Sequence, residues 1–415
     1  MDGTTNRETR TPTTYSPLLQ ALVIADLLSR ISPTALLPAL VGLSAIGAWP
    51  WRTDPLQVAA GVLTLVAILA DGISLSLLPR FGRSYGPPTP PLLALALLRA
   101  GITFALGAVY PVWTVFTLCT LCQAGLLAAQ IYATWIEPAR ITVTYQRLAS
   151  PKLRSTASLR LLHVSDIHFE GWTPREHRLL EAVRDLQPDL ILLTGDYLNL
   201  SSVEDAEAQA GVRDLLAGIS ACAPTYAVTG SPPVDLAHVV PAVFDGLPIT
   251  WLLDEVVEVH IKGHSLRLVG LRCTRDRLAD GARLRHLLPE GTGNTFTVLL
   301  YHSPDLMPDA VACGIDLYLA GHTHGGQLRL PLFGALVTSS DFGKRYEMGR
   351  YREGRTTLYV SRGLGVEGLG APRARFLAPP EIVVWDLEAV QRPADARAVA
   401  GNEKNPSSPT FEGLP

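Results

Sequence analysis

A glycine-rich segment at residues 321–327 carries two histidines whose spacing could place a metal ion. The histidines are His322 and His324, and the segment directly follows an apolar run at residues 315–320 that is typical of a buried strand. Imidazoles two positions apart on a turning backbone can point at neighbouring positions, and flanking glycines allow a close backbone approach. Imidazole ligands suit Zn, Fe, Mn or Ni. Alone, the segment could also be a polar hairpin with two solvated histidines.

Four other apolar runs, each with the length of a buried strand, also end in polar residues. The residues at these strand ends are Asp166 and His168, Asp196, Ser231, and His302. Amphipathic helical segments lie near residues 175–186 and 203–218, so strands and helices alternate as in an α/β fold, where functional groups collect at strand ends. Five such strand ends in one domain argue against a purely structural origin of these side chains.

Together, the strand ends offer enough oxygen and nitrogen ligands for two divalent cations that share one carboxylate. The candidate ligands are Asp166, His168, Asp196, His302, His322 and His324. Two cations about 3.5–4 Å apart can hold a phosphoryl group, activate a bridging water and offset charge in an in-line displacement. Mixed nitrogen and oxygen ligation is compatible with Mn, Fe, Zn or Co, so the metals remain open.

The first third of the chain is strongly apolar and predicts a membrane domain. Each of its candidate spans is close to or longer than the ~20 residues that a bilayer core requires. The spans are residues 33–51, 55–79, 91–109 and 112–135.

Arg99 lies in the third span and would need a partner such as Asp71 or a wet cavity. We prefer a structural pair to a transport role, because isolated charges do not make a pathway. Residues 18–28 are interpreted as an interfacial or extended lead-in, with a fifth helix as the alternative.

The distribution of basic residues predicts the orientation of this domain. With four spans, both ends of the bundle lie on one side, and the only arginine left in the opposite loops is Arg52. The positive-inside rule then predicts a multi-pass protein of the inner (plasma) membrane with a cytoplasmic catalytic domain. The formal net charge of −3 gives no support to a nucleic-acid partner. The five cysteines lack the spacing of a disulfide scaffold.

In combination, these motifs resemble those of the calcineurin-like metallophosphoesterases. The resemblance rests on Asp166-Ile167-His168, Gly195-Asp196, Tyr301-His302 and residues 321–327, and it extends over about residues 158–388. The bacterial membrane-associated branch is most similar, and it includes enzymes of the UDP-2,3-diacylglucosamine hydrolase type, which cleave a pyrophosphate. The resemblance implies one metal held by Asp166, His168, Asp196 and His324. It implies a second held by Asp196, His302 and His322, with Asp196 as the bridge.

The resemblance also implies roles for residues around the metals. Asp196, His302 and His322 would form the catalytic group, while Ser231 and the backbone N–H groups of Gly325 and Gly326 would bind substrate.

The chain departs from the family pattern at one strand end. Where the family has Gly-Asn-His, with the Asn on the second metal and the His on the phosphate, this chain has Gly230-Ser231-Pro232. A hydroxyl is a weaker ligand than a positioned amide oxygen, so we expect the second metal to be held weakly. Loss of the imidazole removes a contact typically worth ~10²–10⁴ in rate. Asp235, as an oxygen ligand, and His238, as an imidazole, are candidate substitutes.

We therefore predict an α/β protein in which an N-terminal multi-helix transmembrane bundle precedes a calcineurin-like two-sheet α/β sandwich. The predicted parts are a membrane domain with about four transmembrane helices (residues 1–140), a linker (141–157), the metallophosphoesterase domain (158–388) and a disordered tail (389–415).

The predicted function is hydrolysis of a phosphoester or pyrophosphate bond in a lipid-like substrate, with two divalent metal ions as cofactors and the membrane as a partner. The alternative is a catalytically impaired metal-binding membrane protein that binds a phosphorylated ligand or partner. Transport has little support, because the spans carry only Asp71 and Arg99 as ionisable residues at depth.

Overall fold

A helical bundle and a two-sheet sandwich follow one another along the chain. The structure is a computed structural model that describes residues 17–52, 54–83 and 86–390. The first sixteen residues and residues 391–415 of the predicted tail lie outside this part. The α-helices are α1 (Pro17–Leu27), α2 (Pro33–Ala48), α3 (Asp54–Leu77), α4 (Thr89–Val109), α5 (Trp113–Ile131), α6 (Pro174–Leu186), α7 (Ala206–Ser220), α8 (Val240–Phe244), α9 (Arg277–Leu287) and α10 (Met307–Cys313).

Fourteen strands are present in the described residues. They are β1 (Thr142–Ser150), β2 (Leu159–Val164), β3 (Leu190–Leu193), β4 (Thr225–Ala227), β5 (Ile249–Trp251), β6 (Glu255–Ile261), β7 (His264–Gly270), β8 (Phe296–Leu300), β9 (Leu317–Ala320), β10 (Arg329–Leu330), β11 (Gly334–Ala335), β12 (Gly349–Glu353), β13 (Thr356–Val360) and β14 (Glu381–Ala389). Two six-stranded sheets and the small β10–β11 hairpin account for all of them.

The N-terminal bundle contains the apolar helices that the sequence predicts. Four helical segments of the described residues are long and apolar enough to cross a membrane: Pro33–Trp51, Pro55–Phe81, Thr89–Val109 and Trp113–Ala139. They coincide with the four predicted spans. The lead-in is helical, since α1 covers 11 residues, but it is too short to cross a bilayer core.

A charged pair inside the bundle joins Arg99 and Asp71, as predicted for these spans. Both side chains are fully buried, and the guanidinium contacts both carboxylate oxygens, with Nε 2.6 Å from Oδ2 and Nη2 2.8 Å from Oδ1. Nη1 of Arg99 donates to the backbone and side-chain oxygens of Gln123 at 2.9 and 2.7 Å. The pair thus has the bidentate, fully hydrogen-bonded geometry that a buried ion pair requires.

The sandwich is built from two mixed sheets packed face to face. The strand orders are β1-β14-β2-β3-β4-β5 and β12-β13-β9-β8-β7-β6. Strands β2 to β5 run parallel in the first sheet, and β7, β8, β9 and β13 run parallel in the second. One apolar core lies between the sheets and includes Leu192, Leu300 and Trp385. Two outer cores lie under α6 and α7 on one side and under α9 and α10 on the other. The predicted two-sheet α/β sandwich is confirmed.

Residues 142–150, which the sequence analysis placed in a linker, form strand β1 at the edge of the first sheet. This strand pairs in parallel with β14, from Thr142 opposite Glu381 to Ser150 opposite Ala389. Its apolar residues Val143 and Tyr145 are exposed, so the strand is stabilised by backbone pairing instead of by an apolar face. A hydrophobic pattern could not indicate it for this reason.

The bundle and the sandwich contact one another directly. The carboxylate of Glu137, near the end of the last candidate span, accepts hydrogen bonds from the N–H groups of Leu377 (3.0 Å) and Ala378 (2.6 Å). The N–H of Arg375 donates to the carbonyl of Ala133 at 2.9 Å. The loop before β14 is therefore fixed to the end of the bundle.

Candidate functional site

All six predicted ligands lie together where strand ends of the two sheets meet. Asp166 and His168 follow β2, Asp196 follows β3, His302 follows β8, and His322 and His324 follow β9. Every one of them is buried. Parallel strands present their carboxyl ends at the same edge of a sheet, and the two sheets bring two such edges together.

The six side chains fall into two groups that could each hold a metal ion. In the group of Asp166, His168 and His324, the two Nε2 atoms of the histidines are 3.0 Å apart, and Nε2 of His324 is 3.6 Å from Oδ1 of Asp166. In the group of Asp196, His302 and His322, Nε2 of His302 is 3.2 Å from Nδ1 of His322. The groups are therefore compact enough for one cation each.

The carboxylate of Asp196 faces both groups. Its Oδ2 atom is 3.2 Å from Nε2 of His302 in its own group and 3.6 Å from Nε2 of His168 in the other. A single carboxylate between two ligand sets is the arrangement needed to bridge two cations.

Backbone carbonyl groups behind the site orient two of the imidazoles. Nδ1 of His302 lies 2.7 Å from the carbonyl oxygen of Thr194, and Nε2 of His322 lies 3.2 Å from that of Ser339. Each of these nitrogens therefore carries a hydrogen and donates it, so in the neutral ring the lone pair of the other nitrogen is directed into the cluster. Metal-ligating histidines are usually held in this way.

The chemistry of the donor set fits divalent cations. Imidazole nitrogens approach one another and the carboxylates, and Oδ2 of Asp166 is buried without a hydrogen-bond partner among the described residues. Buried acceptors without donors are costly, and a cation is the natural partner for converging nitrogen and oxygen lone pairs. Asp166, His168, Asp196 and His324 could hold one ion, and Asp196, His302 and His322 the other.

Five of the six candidate ligands have a left-handed backbone, which is uncommon for residues other than glycine. Their φ angles are 50° (Asp166), 44° (His168), 56° (Asp196), 71° (His322) and 51° (His324). Hydrogen bonds between loops hold this conformation; the N–H groups of Asp166 and His168 donate to the carbonyls of Gly195 and Asp196, each at 3.0 Å. Strained backbone of this kind concentrates at functional sites, where it directs side chains that a relaxed turn would point elsewhere.

The charges of the cluster suit ligation. Burial alone would lower the pKa of His302, but the carboxylates of Asp196 and Asp166 raise it to about 9. Burial, followed by the charges on His302 and Arg275, lowers the pKa of His322 to about 3. Although burial raises the pKa of Asp196, the neighbouring His302 holds it below its usual range. Asp196 is therefore charged and His322 neutral at pH 7, and these are the forms that bind metals. His302 carries a second hydrogen at pH 7, which a bound cation would displace.

Ser231 occupies the position at which the family carries its asparagine. Its Oγ atom lies 3.2 Å from Nε2 of His302 and 3.3 Å from Nδ1 of His322, and its N–H donates to Oδ1 of Asp196 at 2.5 Å. The hydroxyl is thus a neutral oxygen beside the two imidazole nitrogens that face the second metal position. Pro232, which stands in place of the family's histidine, is exposed and offers no donor.

The structure contradicts Asp235 and His238 as substitutes for the family's missing asparagine and histidine. The buried carboxylate of Asp235 accepts hydrogen bonds from the N–H groups of Asp196 (2.9 Å), Tyr197 (3.0 Å) and Gly230 (2.6 Å), so it clamps two loops instead of facing a metal. Burial, followed by the charge on Asp196, raises its pKa to about 7. His238 is exposed and lies 3.2 Å from Glu204.

Gly325 and Gly326 are placed differently from their expected role. Their N–H groups donate within the turn, to the hydroxyl and the carbonyl oxygen of Thr323 at 3.3 and 2.6 Å. Gly326 has a φ of 82°, and a Cβ atom there would lie 2.2 Å from Cβ of Ala335. These glycines shape the turn and let the β10–β11 hairpin pack against it, so their N–H groups are not free for a substrate.

A fully buried arginine behind the cluster was missed by the sequence analysis. The guanidinium of Arg375 donates to the carbonyl oxygens of Gly365 and Ala378, each at 2.9 Å, and Nη2 lies 3.3 Å from Nδ1 of His324. Burial lowers the pKa of Arg375 to about 9. The residue holds the loop between β13 and β14 against the site. No spacing or periodicity in that loop distinguishes it from a solvated arginine.

A cavity of about 320 Å³ opens onto the second ligand group, which the sequence analysis also did not anticipate. Asp196, Ser231 and His322 line its floor, and residues 338–341 and Leu22 of α1 line its walls. Arg275 lies at this cavity with a φ of 64°, and within the described residues its exposed guanidinium makes no hydrogen bond or ion pair. The cavity thus combines the ligand cluster with one unpaired positive charge.

Comparison with known proteins agrees with this geometry. Residues 159–326 match the family model described as calcineurin-like phosphoesterase. The chain is 30% identical over 264 residues to phosphodiesterase YaeI of Escherichia coli, which covers 62% of this chain and 92% of that protein.

Two further relatives cover similar shares of the chain. It is 29% identical over 267 residues to the uncharacterized metallophosphoesterase YkuE of Bacillus subtilis (62% of this chain, 89% of the relative). It is 23% identical over 329 residues to the UDP-2,3-diacylglucosamine pyrophosphatase LpxG of Chlamydia muridarum (65% and 97%). The chain belongs to the calcineurin-like metallophosphoesterases, a family of metal-dependent phosphoester hydrolases.

Proposed function

We propose that this protein is a membrane-anchored dinuclear-metal phosphohydrolase that cleaves a phosphoester or pyrophosphate bond of a lipid-linked substrate. The observation that carries the proposal is the position of Asp196, whose Oδ2 atom lies within 3.6 Å of imidazoles from both ligand groups at the floor of a cavity. Two bound divalent cations would supply Lewis-acid polarisation of the phosphoryl group and a water of lowered pKa. Asp196, His302 and His322 form the catalytic group of this proposal.

The protein's own residues position the reacting group. Arg275 is the positive charge at the cavity that is free to contact phosphoryl oxygens, and guanidinium is well suited to that geometry. Ser231 lies at the same floor and contacts the substrate or the second metal. Because Pro232 cannot protonate a leaving group, the site favours leaving groups that depart without protonation. A pyrophosphate or an aryl ester meets that condition, whereas a simple alkyl ester does not.

Several features support the membrane part of the proposal. Four helices are long and apolar enough to span a bilayer, and the alternation of four spans would put basic residues such as Arg30, Arg83 and Arg140 on the same side as the sandwich. The β10–β11 hairpin and the residues after it expose Leu330, Leu332, Phe333, Leu336 and Val337. Exposed apolar side chains of this density mark membrane or partner contact. The proposed location is the inner membrane, with the sandwich on the cytoplasmic face.

The relatives support a substrate of this class. The Escherichia coli relative is named a phosphodiesterase, and the Chlamydia relative a pyrophosphatase of UDP-2,3-diacylglucosamine. We infer for this chain the same bond types and an acylated, phosphate-linked substrate.

The test is hydrolysis by the full chain, purified in detergent with added Mn. The substrates are UDP-2,3-diacylglucosamine and bis(4-nitrophenyl) phosphate, and metal is counted by mass spectrometry. We expect turnover of at least one substrate, and loss of that turnover in His322→Ala. The matched control is His260→Ala, because His260 is an exposed histidine of β6 remote from the ligand groups. It should keep both metal and activity.

Two results would overturn the proposal. Bound metal without turnover of either substrate would replace it with the alternative, a metal-binding membrane protein that recognises a phosphorylated ligand. Absence of bound metal in the wild type would remove the dinuclear site itself.

A further inference from the structure

A large apolar cavity of about 700 Å³ lies between the helical bundle and the sandwich. Side chains of α3, α4 and α5 form one wall, and residues 328–336 and 370–376 form the other. Its volume falls within the range of ~300–1,000 Å³ that is typical of small-molecule sites. Its wall consists almost entirely of leucine, alanine and proline side chains. The cavity is therefore a site for an apolar ligand.

The polar side chains in this wall are already paired. Nη2 of Arg329 is 2.9 Å from Glu347, and Nη2 of Arg373 is 2.9 Å from Glu170. Nε2 of Gln130 donates to the hydroxyl of Thr134 at 3.1 Å. The remaining polar atoms include Oε1 of Gln130 and Nε of Arg373, which are buried without a hydrogen-bond partner among the described residues. The chemistry of the cavity is therefore set mainly by its hydrocarbon lining.

This apolar cavity and the cavity at the metal ligands share two walls. On α1, Leu22 lines the cavity at the metal ligands and Ala25 lines the apolar cavity, which Leu28 also lines just after the helix ends. Residues three apart on a helix are neighbours on its surface, so α1 runs from one cavity to the other. After β11, Leu336 lines the apolar cavity, and Thr338 and Ser339 line the cavity at the metal ligands. The two cavities therefore adjoin along both α1 and the segment after β11.

The apolar cavity also reaches the outer surface of the bundle. Leu97 and Leu98 of α4 line it and are both exposed. These residues lie inside the candidate span Thr89–Val109, whose outer surface a bilayer would cover. A lipid could therefore enter from the side without leaving a hydrophobic environment.

We infer that the apolar cavity binds an acyl chain of the substrate while its phosphoryl group lies at the ligand cluster. The position of the headgroup rests on the proposed function, whereas the chain site rests on the cavity, its lining and its continuity with α1 and residues 336–339. The occupant is one hydrocarbon chain of an amphiphile whose phosphate-linked end faces Arg275 and Asp196.

The first test compares 4-nitrophenyl phosphodiesters that carry a methyl or an octyl second ester, both below micelle-forming concentrations. The wild type should prefer the octyl ester in kcat/KM by about tenfold, a gain that needs only about two buried methylene groups. Ala129→Trp places a bulky ring in the cavity and should bring the octyl-to-methyl ratio close to one. Ala128 lies next to it on α5, exposed and outside the cavity lining, so Ala128→Trp should retain the wild-type ratio. An unchanged ratio in Ala129→Trp would overturn the inference.

The second test does not depend on turnover. A hexadecyl phosphate with a diazirine at the end of its chain is irradiated with the Mn-loaded full chain, and labelled peptides are identified by mass spectrometry. Label is expected in α4, α5 or residues 328–336. It should fall in Ala129→Trp but not in Ala128→Trp, and excess unlabelled hexadecyl phosphate should displace it whereas phosphatidylcholine should not.

The two tests separate the possible failures. Specific labelling without hydrolysis would retain the chain site and reject the proposed function. Hydrolysis without chain preference and without specific labelling would retain the proposed function and reject the chain site. Labelling that phosphatidylcholine displaces equally well would show only a space filled by bulk lipid, and would reject the chain site.

Discussion

Two buried clusters of charged and titratable side chains in the described residues, one in the bundle and one in the sandwich, differ in whether their groups satisfy one another. In the bundle, the guanidinium of Arg99 meets both oxygens of Asp71, and its remaining donors meet Gln123. In the sandwich, carboxylates and imidazoles converge with few hydrogens between them, and Oδ2 of Asp166 has no partner in the described part of the chain. The first cluster is closed, whereas the second requires a cation.

This difference shows that burial of charge does not by itself mark a functional site. A closed ion pair can be replaced by apolar side chains at little cost, because the free energy spent on desolvating the two charges largely offsets their mutual attraction. An open set of acceptors is stable only when something positive fills it. The balance of donors and acceptors therefore separates the structural cluster from the chemical one.

The largest effect is expected when the open cluster loses its shared ligand. Asp196→Ala removes the one carboxylate that faces both ligand groups, so we expect loss of all measurable turnover and of at least one bound metal per chain. Metal analysis by mass spectrometry and a phosphodiester assay measure both. Asp71→Ala, which removes a buried carboxylate from the closed cluster, should leave the metal content unchanged. Equal metal loss in the two variants would contradict the distinction.

Breaking the Arg99–Asp71 pair should lower the free energy of unfolding without a direct effect on the metal ligands. Arg99→Leu leaves the Asp71 carboxylate buried without a partner, and we expect about 3–5 kcal/mol of lost unfolding free energy, measured by denaturation in mild detergent. The double variant Asp71→Ala/Arg99→Leu should recover most of that loss, because no uncompensated charge remains. A double variant as unstable as the single one would show that the pair has a further role.

Removal of the loop clamp should affect both stability and metal binding. Asp235→Ala deprives three buried N–H groups of their acceptor, which we expect to cost about 2–3 kcal/mol. Because two of these N–H groups belong to Asp196 and Tyr197, metal affinity should also fall by roughly 10–100-fold. Calorimetric titration with Mn measures the affinity. A loss of stability with unchanged affinity would limit Asp235 to a structural role.

The smallest effect is expected at the unpaired charge of the cavity. Arg275→Ala should lower kcat/KM for a phosphodiester by about tenfold through loss of one charge-assisted contact, and Arg275→Lys should recover part of it. Arg272, in the same loop, is held by Asp254 at 2.6 Å, so Arg272→Ala is the matched control and should retain full activity. Equal rates in all three variants would exclude Arg275 from substrate contact.

The predictions from sequence were most accurate where the signal was local. Apolar runs that end in Asp166, Asp196 and His302 were sufficient to predict buried strands with ligand-type residues at their ends. Uncharged stretches were sufficient to predict the spans. The pairing of Arg99 with Asp71 could be anticipated because few other charges lie at that depth in the spans.

The predictions failed where the partner of a side chain decided its role. Asp235 was considered as a metal ligand, but its oxygens accept from two backbone N–H groups of the loop after β3 and one of its own loop. His238 is exposed, and the N–H groups of Gly325 and Gly326 are used within their own turn. Arg375 and the apolar cavity escaped notice because their contacts join segments far apart in the chain.

The class of fold, the candidate spans and the types of ligand could be predicted from the sequence alone, because strand and helix patterns and residue chemistry are local properties. Which side chains share a site depends instead on how distant segments pack together. The left-handed backbone of five ligands, the position of Asp196 between two groups, and the continuity of α1 with two cavities arise from packing between distant loops. Asp196 and Asp235 are both aspartates that follow a predicted strand, yet their roles differ. Asp196 contacts imidazoles, whereas Asp235 accepts hydrogen bonds from backbone N–H groups.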